Sequence, residues 1–192
     1  MTEPTDMVSQ FASWQAFYAE VFSLQVQSSC ALGTAENGHE RLLVGGEGLT
    51  LDQAIQASQN LFPVSSVYNT SDRDLFIHFN ERDTRTTYGV LVRESVEVGP
   101  EFYEKSADDL ARDQIRGITL LERILYGLKY FRETGRHLDT VGGTLCFGSR
   151  DSQGNVPRVH LSSSLGVQIA RSQPDERNRK ILGRRVLPFF AN

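Results

Sequence analysis

The sequence predicts an α+β protein, a mainly antiparallel sheet from two β-hairpins packed against three to four helices in a single domain. Three observations predict it. Apolar residues recur at helical spacing in several stretches, alternating strands flank two polar turns, and the composition is that of an ordinary globular chain. Of the 192 residues, 39% are hydrophobic and 23% charged. A chain of this length buries roughly 70% of the surface its unfolded form exposes, so it needs neither metal nor disulfide to hold its core.

Taken in order, residues 1–7 are polar and expected to be frayed, as are 188–192. Phe11, Trp14, Tyr18, Val21 and Phe22 form one apolar stripe, which predicts an amphipathic helix over about residues 8–26. A loop containing Gly33, Asn37 and Gly38 follows, then a short strand over 41–44. Thr50 with Gln53 three residues on reads as a capping box, in which hydroxyl and amide satisfy exposed N–H groups. The helix it opens should run until Pro63 stops it.

The stretch 75–79 alternates, with Leu75, Ile77 and Phe79 on one face and Phe76 and His78 on the other. Residues 86–98 alternate as well, so the two are expected to pair as the first antiparallel hairpin. Helical stretches follow over 101–115 and from a second capping box, Thr119 with Glu122, to Gly135. Ile118, Leu121, Leu125 and Leu128 give the latter the strongest apolar stripe in the chain. The second hairpin is expected from strands 143–149 and 156–162, around a polar turn with Gly154 where φ must be positive. A third strand is expected over 166–170.

Net charge is −4, from 20 basic and 24 acidic residues, which offers no global field for nucleic acid. The charge is uneven, however. No basic residue precedes Arg41, whereas Arg171, Arg177, Arg179, Lys180, Arg184 and Arg185 crowd the tail. Cys30 and Cys146 lack the spacing of a redox pair or a zinc site and are expected to be buried free thiols. The N-terminus lacks a basic and apolar leader, and no apolar run reaches the ~18 residues of a membrane span, so a cytoplasmic protein is expected. Phosphate-loop, zincin and nucleophile-elbow motifs are absent, and no metal or cofactor is expected. His39, His78, His137 and His160 show no ligand spacing, and His137 suits a helix C-terminus.

The densest polar cluster is the second hairpin, with Cys146, Ser149, Arg150, Asp151, Arg158 and His160. Its register decides the chemistry. If Arg150 faces Asn155, Cys146 faces Val159; a slip of one residue makes Cys146 and His160 cross-strand neighbours. Such neighbours sit roughly 5 Å apart at Cβ, close enough for a thiolate–imidazole pair.

The run Thr144-Leu145-Cys146-Phe147-Gly148-Ser149-Arg150, followed by Val156-Pro157 and preceded by a helix opening Leu120-Leu121-Glu122, resembles the C-terminal part of a bacterial domain family of unknown function. The resemblance covers at most roughly the last 75 residues and implies a fold unit without an assigned chemistry.

Three functions are consistent with these residues. The first is a non-enzymatic binding or interaction module, a partner or a second copy of the chain being met by exposed aromatics at Phe11, Trp14, Phe189 and Phe190. The second is a hydrolase or transferase, with Cys146 or Ser149 as nucleophile, His160 as base and Arg150 as anion clamp. Arg150, Asp151, Arg158, Arg184 and Arg185 are the candidate ligand- or anion-binding residues. The third is a nucleic-acid binder using the basic tail, which the net negative charge opposes.

Overall fold

A computed structural model describes residues 6–28, 41–68 and 76–191. Cys30, His39, Leu75 and the glycine loop at 33–38 lie outside the described residues. In chain order the elements are α1 (Met7–Phe22), β1 (Arg41–Gly45), α2 (Leu51–Gln59), β2 (Val64–Ser66), β3 (Ile77–Asn80), β4 (Tyr88–Val92), α3 (Ala107–Arg112), α4 (Leu120–Thr134), β5 (Gly143–Leu145), β6 (Ser149–Asp151), β7 (Val156–Ser162), β8 (Gly166–Ser172), β9 (Ile181–Gly183) and β10 (Leu187–Ala191). The class is α+β. The chain groups into two compact units.

The first unit comprises Met1–Leu49, Asp83–Glu94 and Val186–Asn192. Its sheet runs in the order β1-β4-β10, antiparallel throughout. The apolar stripe of α1 buries Phe11, Trp14, Phe17 and Tyr18. Two of these rings carry a polar group that must be satisfied once buried. The Trp14 indole N–H donates to the Leu42 carbonyl at 2.7 Å, and the Tyr18 hydroxyl donates to the Val44 carbonyl at 2.8 Å. These bonds fix the helix against β1.

Three of the four aromatic residues expected to be exposed are therefore core residues: Phe11, Trp14 and Phe190 are buried, Phe189 is half-buried, and Phe11 meets Phe190 edge-on at 5.6 Å. Close packing requires Gly89 here, because a Cβ would lie 2.3 Å from the Phe190 ring. Of the residues expected to be frayed, 1–5 and 192 lie outside the described residues, and the others are ordered by contacts. Asp6 caps α1 by accepting from the Val8 N–H, Met7 is buried, and 187–191 is a paired strand rather than a frayed end.

The second unit comprises Thr50–Arg82 and Ser95–Arg185. A five-stranded sheet runs β2-β8-β7-β5-β9, with β2–β8 and β5–β9 parallel and the other pairs antiparallel. Both expected capping boxes form, on α2 at Thr50/Gln53 and on α4 at Thr119/Glu122. A third, Ser106/Asp109, opens α3, and the stretch expected as one helix over 101–115 is a 3₁₀ turn at Pro100–Phe102 followed by this short helix. Gly135 closes α4 at φ +69°. Phe102, Leu110, Leu145, Phe147 and Val156 share one core cluster.

Strands 77–80 and 88–92 form, but not as a hairpin with each other. β3 pairs with β6, and β4 pairs with β1 and β10. The β3–β6 register shifts between Ile77 and Phe79. Such a bulge turns the following side chains, so Ile77 is buried while Phe79, expected on the same face, stands 52% exposed. His78 is exposed, as its position opposite Ile77 suggests.

The second hairpin forms only in part: the strand expected over 143–149 is split into β5, which pairs with β7, and β6, which pairs with β3. The third strand pairs with β7 as β8, and Gly154 takes φ +82° in the turn. No helix among the described residues is long and apolar enough to cross a membrane.

Candidate functional site

The hairpin register separates the expected dyad. Gly143 faces His160, Thr144 faces Val159 and Leu145 faces Arg158, and the Cys146 N–H donates to the Pro157 carbonyl at 2.8 Å. Neither anticipated register is adopted. His160 lies three positions along β7 from Pro157, the partner of Cys146, about 10 Å of extended chain.

Each candidate nucleophile is also occupied or shielded. Cys146 is fully buried, and that burial pushes its thiol well above the ordinary range. The Ser149 hydroxyl is buried too. It accepts from the Leu120 N–H at 2.9 Å and donates to Asn80 Oδ1 at 2.5 Å, tying the first turn of α4 to β3. His160 Nδ1 is buried and has no hydrogen-bond partner among the described residues. Desolvation lowers the basicity of the ring, and Arg158 lowers it further.

The remaining hairpin residues build structure. Asp151 Oδ1 accepts from the Gln153 and Asn155 N–H groups at 2.9 and 2.8 Å, and Oδ2 accepts from Asn155 Nδ2 at 3.1 Å. The carboxylate thus closes the turn. Arg158 Nη1 reaches Ser172 Oγ at 3.4 Å and pairs with Glu176 at 3.7 Å. Arg185 is exposed, and its backbone bridges to Gly117.

Arg184 is buried in a network that the sequence did not indicate. Arg123 Nη2 and Nε donate to Asp139 Oδ2 at 2.7 and 3.0 Å, and Thr144 Oγ1 donates to the same oxygen at 2.5 Å. Arg184 Nη2 takes the other oxygen at 3.2 Å. Its Nη1 reaches the Ser95 carbonyl at 3.2 Å, and its guanidinium lies 5.4 Å from the centre of the Tyr126 ring. Burial alone would raise the Asp139 carboxyl. The two arginines and the hydrogen bonds from Thr144 and Arg123 outweigh it and hold the group below the usual carboxylate range.

A second pair flanks the first, with Arg82 Nε on Glu122 Oε1 at 2.6 Å. The only local signal for either pair is that Glu122 and Arg123 interrupt the apolar stripe of α4. Elsewhere in the basic segment, Arg177 pairs with Asp109 at 2.9 Å and Arg179 with Glu104 at 2.8 Å.

An open cleft of about 550 Å³ lies in this unit beside β3 and β6. Phe79, Ile115 and Phe147 give it an apolar lining, and Arg116, Arg150 and Gln114 bring polar groups. Loop geometry positions this wall. Gln114, at φ +58°, closes α3, and the Ile115 N–H returns to the Leu110 carbonyl at 3.0 Å. Arg150 is held by two carbonyls, donating from Nη1 to Phe147 O at 2.8 Å and Ser149 O at 2.9 Å. Partial burial lowers its basicity, against the pull of Asp108 and Glu81. Glu81, also in the lining, is tied to Arg82 at 3.0 Å.

Among the described residues no group of three or more His, Cys, Asp or Glu side chains could hold a metal ion. Comparison with protein families, with curated proteins and with solved structures finds no match to this chain.

Proposed function

We propose that this protein is a non-enzymatic binding module that recognises an acidic segment of a protein partner through the cleft beside β3 and β6. The observation that carries this reading is the half-exposed Phe79 ring in one concavity with Arg116 and Arg150. An aromatic anchor beside arginines is the composition of energetically dominant contact surfaces. Arg150 arrives with its guanidinium already braced by two carbonyls, so little side-chain entropy is lost when an anion binds.

The hydrolase or transferase alternative has less support, because Cys146 is shielded and the Ser149 hydroxyl serves Leu120 and Asn80. A nucleic-acid reading is weakened where Arg177, Arg179 and Arg184 are paired with carboxylates. A free thiol at Cys146 suits the reducing cytoplasm.

A photo-crosslinking residue placed at Phe79 and expressed in the native host tests the proposal. Position Val141, 80% exposed, serves as control. A discrete adduct from position 79 that weakens with salt and is absent from position 141 is expected. Equal labelling from both positions, or none from 79, overturns it.

A further inference from the structure

Arg150 of β6 and Phe79 of β3 are cross-strand partners. Partners in an antiparallel pair project from the same face, with Cβ atoms roughly 5 Å apart. The guanidinium and the half-exposed ring therefore stand side by side, and both line the cleft. The next pair along the ribbon, Asp151 with Ile77, projects from the opposite face, where Ile77 is buried and Asp151 holds the turn. The ribbon thus turns a cation and an aromatic ring toward the cleft and keeps its own carboxylate on the other side.

The donors of Arg150 divide unevenly. Nη1 donates to the Phe147 and Ser149 carbonyls at 2.8 and 2.9 Å, which leaves the edge formed by Nε and Nη2. Among the described residues neither nitrogen has a hydrogen-bond or ion-pair partner, and neither is sealed from solvent. The N–H groups along that edge are parallel and match the two oxygens of a carboxylate, the geometry of a bidentate pair. The acidic side chains in electrostatic reach do not take it. Glu81 pairs with Arg82 at 3.0 Å and accepts from the Gly117 N–H at 3.4 Å, and Asp108 makes no ion pair with Arg150. Their charges still act on the guanidinium.

Resting on the reading that the cleft binds an acidic segment, we infer that the Nε–Nη2 edge of Arg150 is a site for one carboxylate, held bidentately, with an apolar group beside it against Phe79. The guanidinium is half-buried, which strengthens a charge-assisted hydrogen bond. Its two carbonyl braces fix the edge before anything binds. Ile115 and Phe147 extend the apolar side of the site. A phosphate fits less well, because its second negative charge would meet Glu81 and Asp108. An Asp or Glu side chain and a chain terminus present the same group to this edge.

The probe is hydrocinnamate, a carboxylate on a short chain from a phenyl ring, titrated against the isotope-labelled full chain by NMR. Its neutral amide and phenyl phosphate are the comparisons. The Arg150 Nε–H resonance should shift with hydrocinnamate at a dissociation constant on the order of 1 mM, the range open to so small a ligand. It should stay in place with the amide, and phenyl phosphate should bind more weakly. Arg150→Lys keeps the charge and loses the fork, so affinity for hydrocinnamate should fall roughly tenfold, the loss of one charge-assisted hydrogen bond. The wild-type resonance decides the matter even if the variant fails to fold. Two acetylated peptides separate the sources of the carboxylate: Leu-Glu-Leu with an amidated end reports a side chain, and Leu-Gln-Leu with a free end reports a terminus. An unmoved Nε–H, an equal response to the amide, tighter binding of phenyl phosphate, or equal affinity in Arg150→Lys overturns the inference. Hydrocinnamate bound at Arg150 with no adduct from position 79 upholds the carboxylate site and removes the protein-partner reading. A salt-sensitive adduct from position 79 that is unchanged in Arg150→Lys does the reverse.

Discussion

Arg123 and Asp139, sixteen residues apart in the chain, form a salt bridge at 2.7 Å with both side chains buried. The bridge joins α4 to the segment leading into β5, and Thr144 and Arg184 complete the shell of the carboxylate. Its arrangement sets the first expectation. Replacing Asp139 by Asn retains the shape but leaves two buried guanidiniums without a counter-charge. The variant should lose about 3–5 kcal/mol of stability, the cost of breaking a buried pair from one side. Urea denaturation of the two proteins measures the difference.

The same carboxylate makes a pH prediction. Its folded-state affinity for protons lies below the ordinary value, so the unfolded chain binds protons first as pH falls. The contribution of Asp139 is therefore complete above about pH 4, the unfolded range, and is lost as pH drops through the lower folded value. Stability of the wild type should fall in that acid window, and the fall should be shallower in Asp139→Asn.

His160 acts in a different window with the same sign. Desolvation, with Arg158 second, depresses its folded pKa, so the unfolded state binds the proton more readily. Its contribution is present above the unfolded value near 6.5 and is lost as pH falls through the folded value. His160→Gln should flatten the stability profile between about pH 7 and 5. A melting series across that range against wild type checks it, and an unchanged slope would count against the burial of Nδ1.

Cys146 should behave as a packing residue. With the thiol fully buried and its ionisation suppressed, iodoacetamide at mildly alkaline pH should modify it only as fast as the unit opens. Peptide-resolved mass spectrometry measures that rate. Labelling as fast as a free small thiol would restore Cys146 as a nucleophile.

Ser149→Ala should destabilise without any catalytic reading. The hydroxyl is the acceptor for a buried Leu120 N–H, and its loss strands that donor and Asn80 Oδ1. A cost of about 1–3 kcal/mol is expected, seen as a lower denaturation midpoint with unchanged m-value.

What the sequence determined by itself is local. Thr50/Gln53, Thr119/Glu122, Gly135 and Gly154 were legible because each cap or turn is decided by atoms within a few residues. The helical stripe of α1 follows from periodicity alone, which reports the face that is buried. It does not report the partner. Only the tertiary structure decided that β3 joins β6 rather than β4, and that Cys146 lies opposite Pro157 rather than His160. Period-two alternation is equally satisfied in many registers, and the choice among them rests on packing contacts distant in sequence. The buried charges were hidden for the same reason. On a helix surface an arginine normally faces water, and Arg123 is turned inward by Asp139, Thr144 and Gly127, side chains and spaces that only the folded chain brings to it.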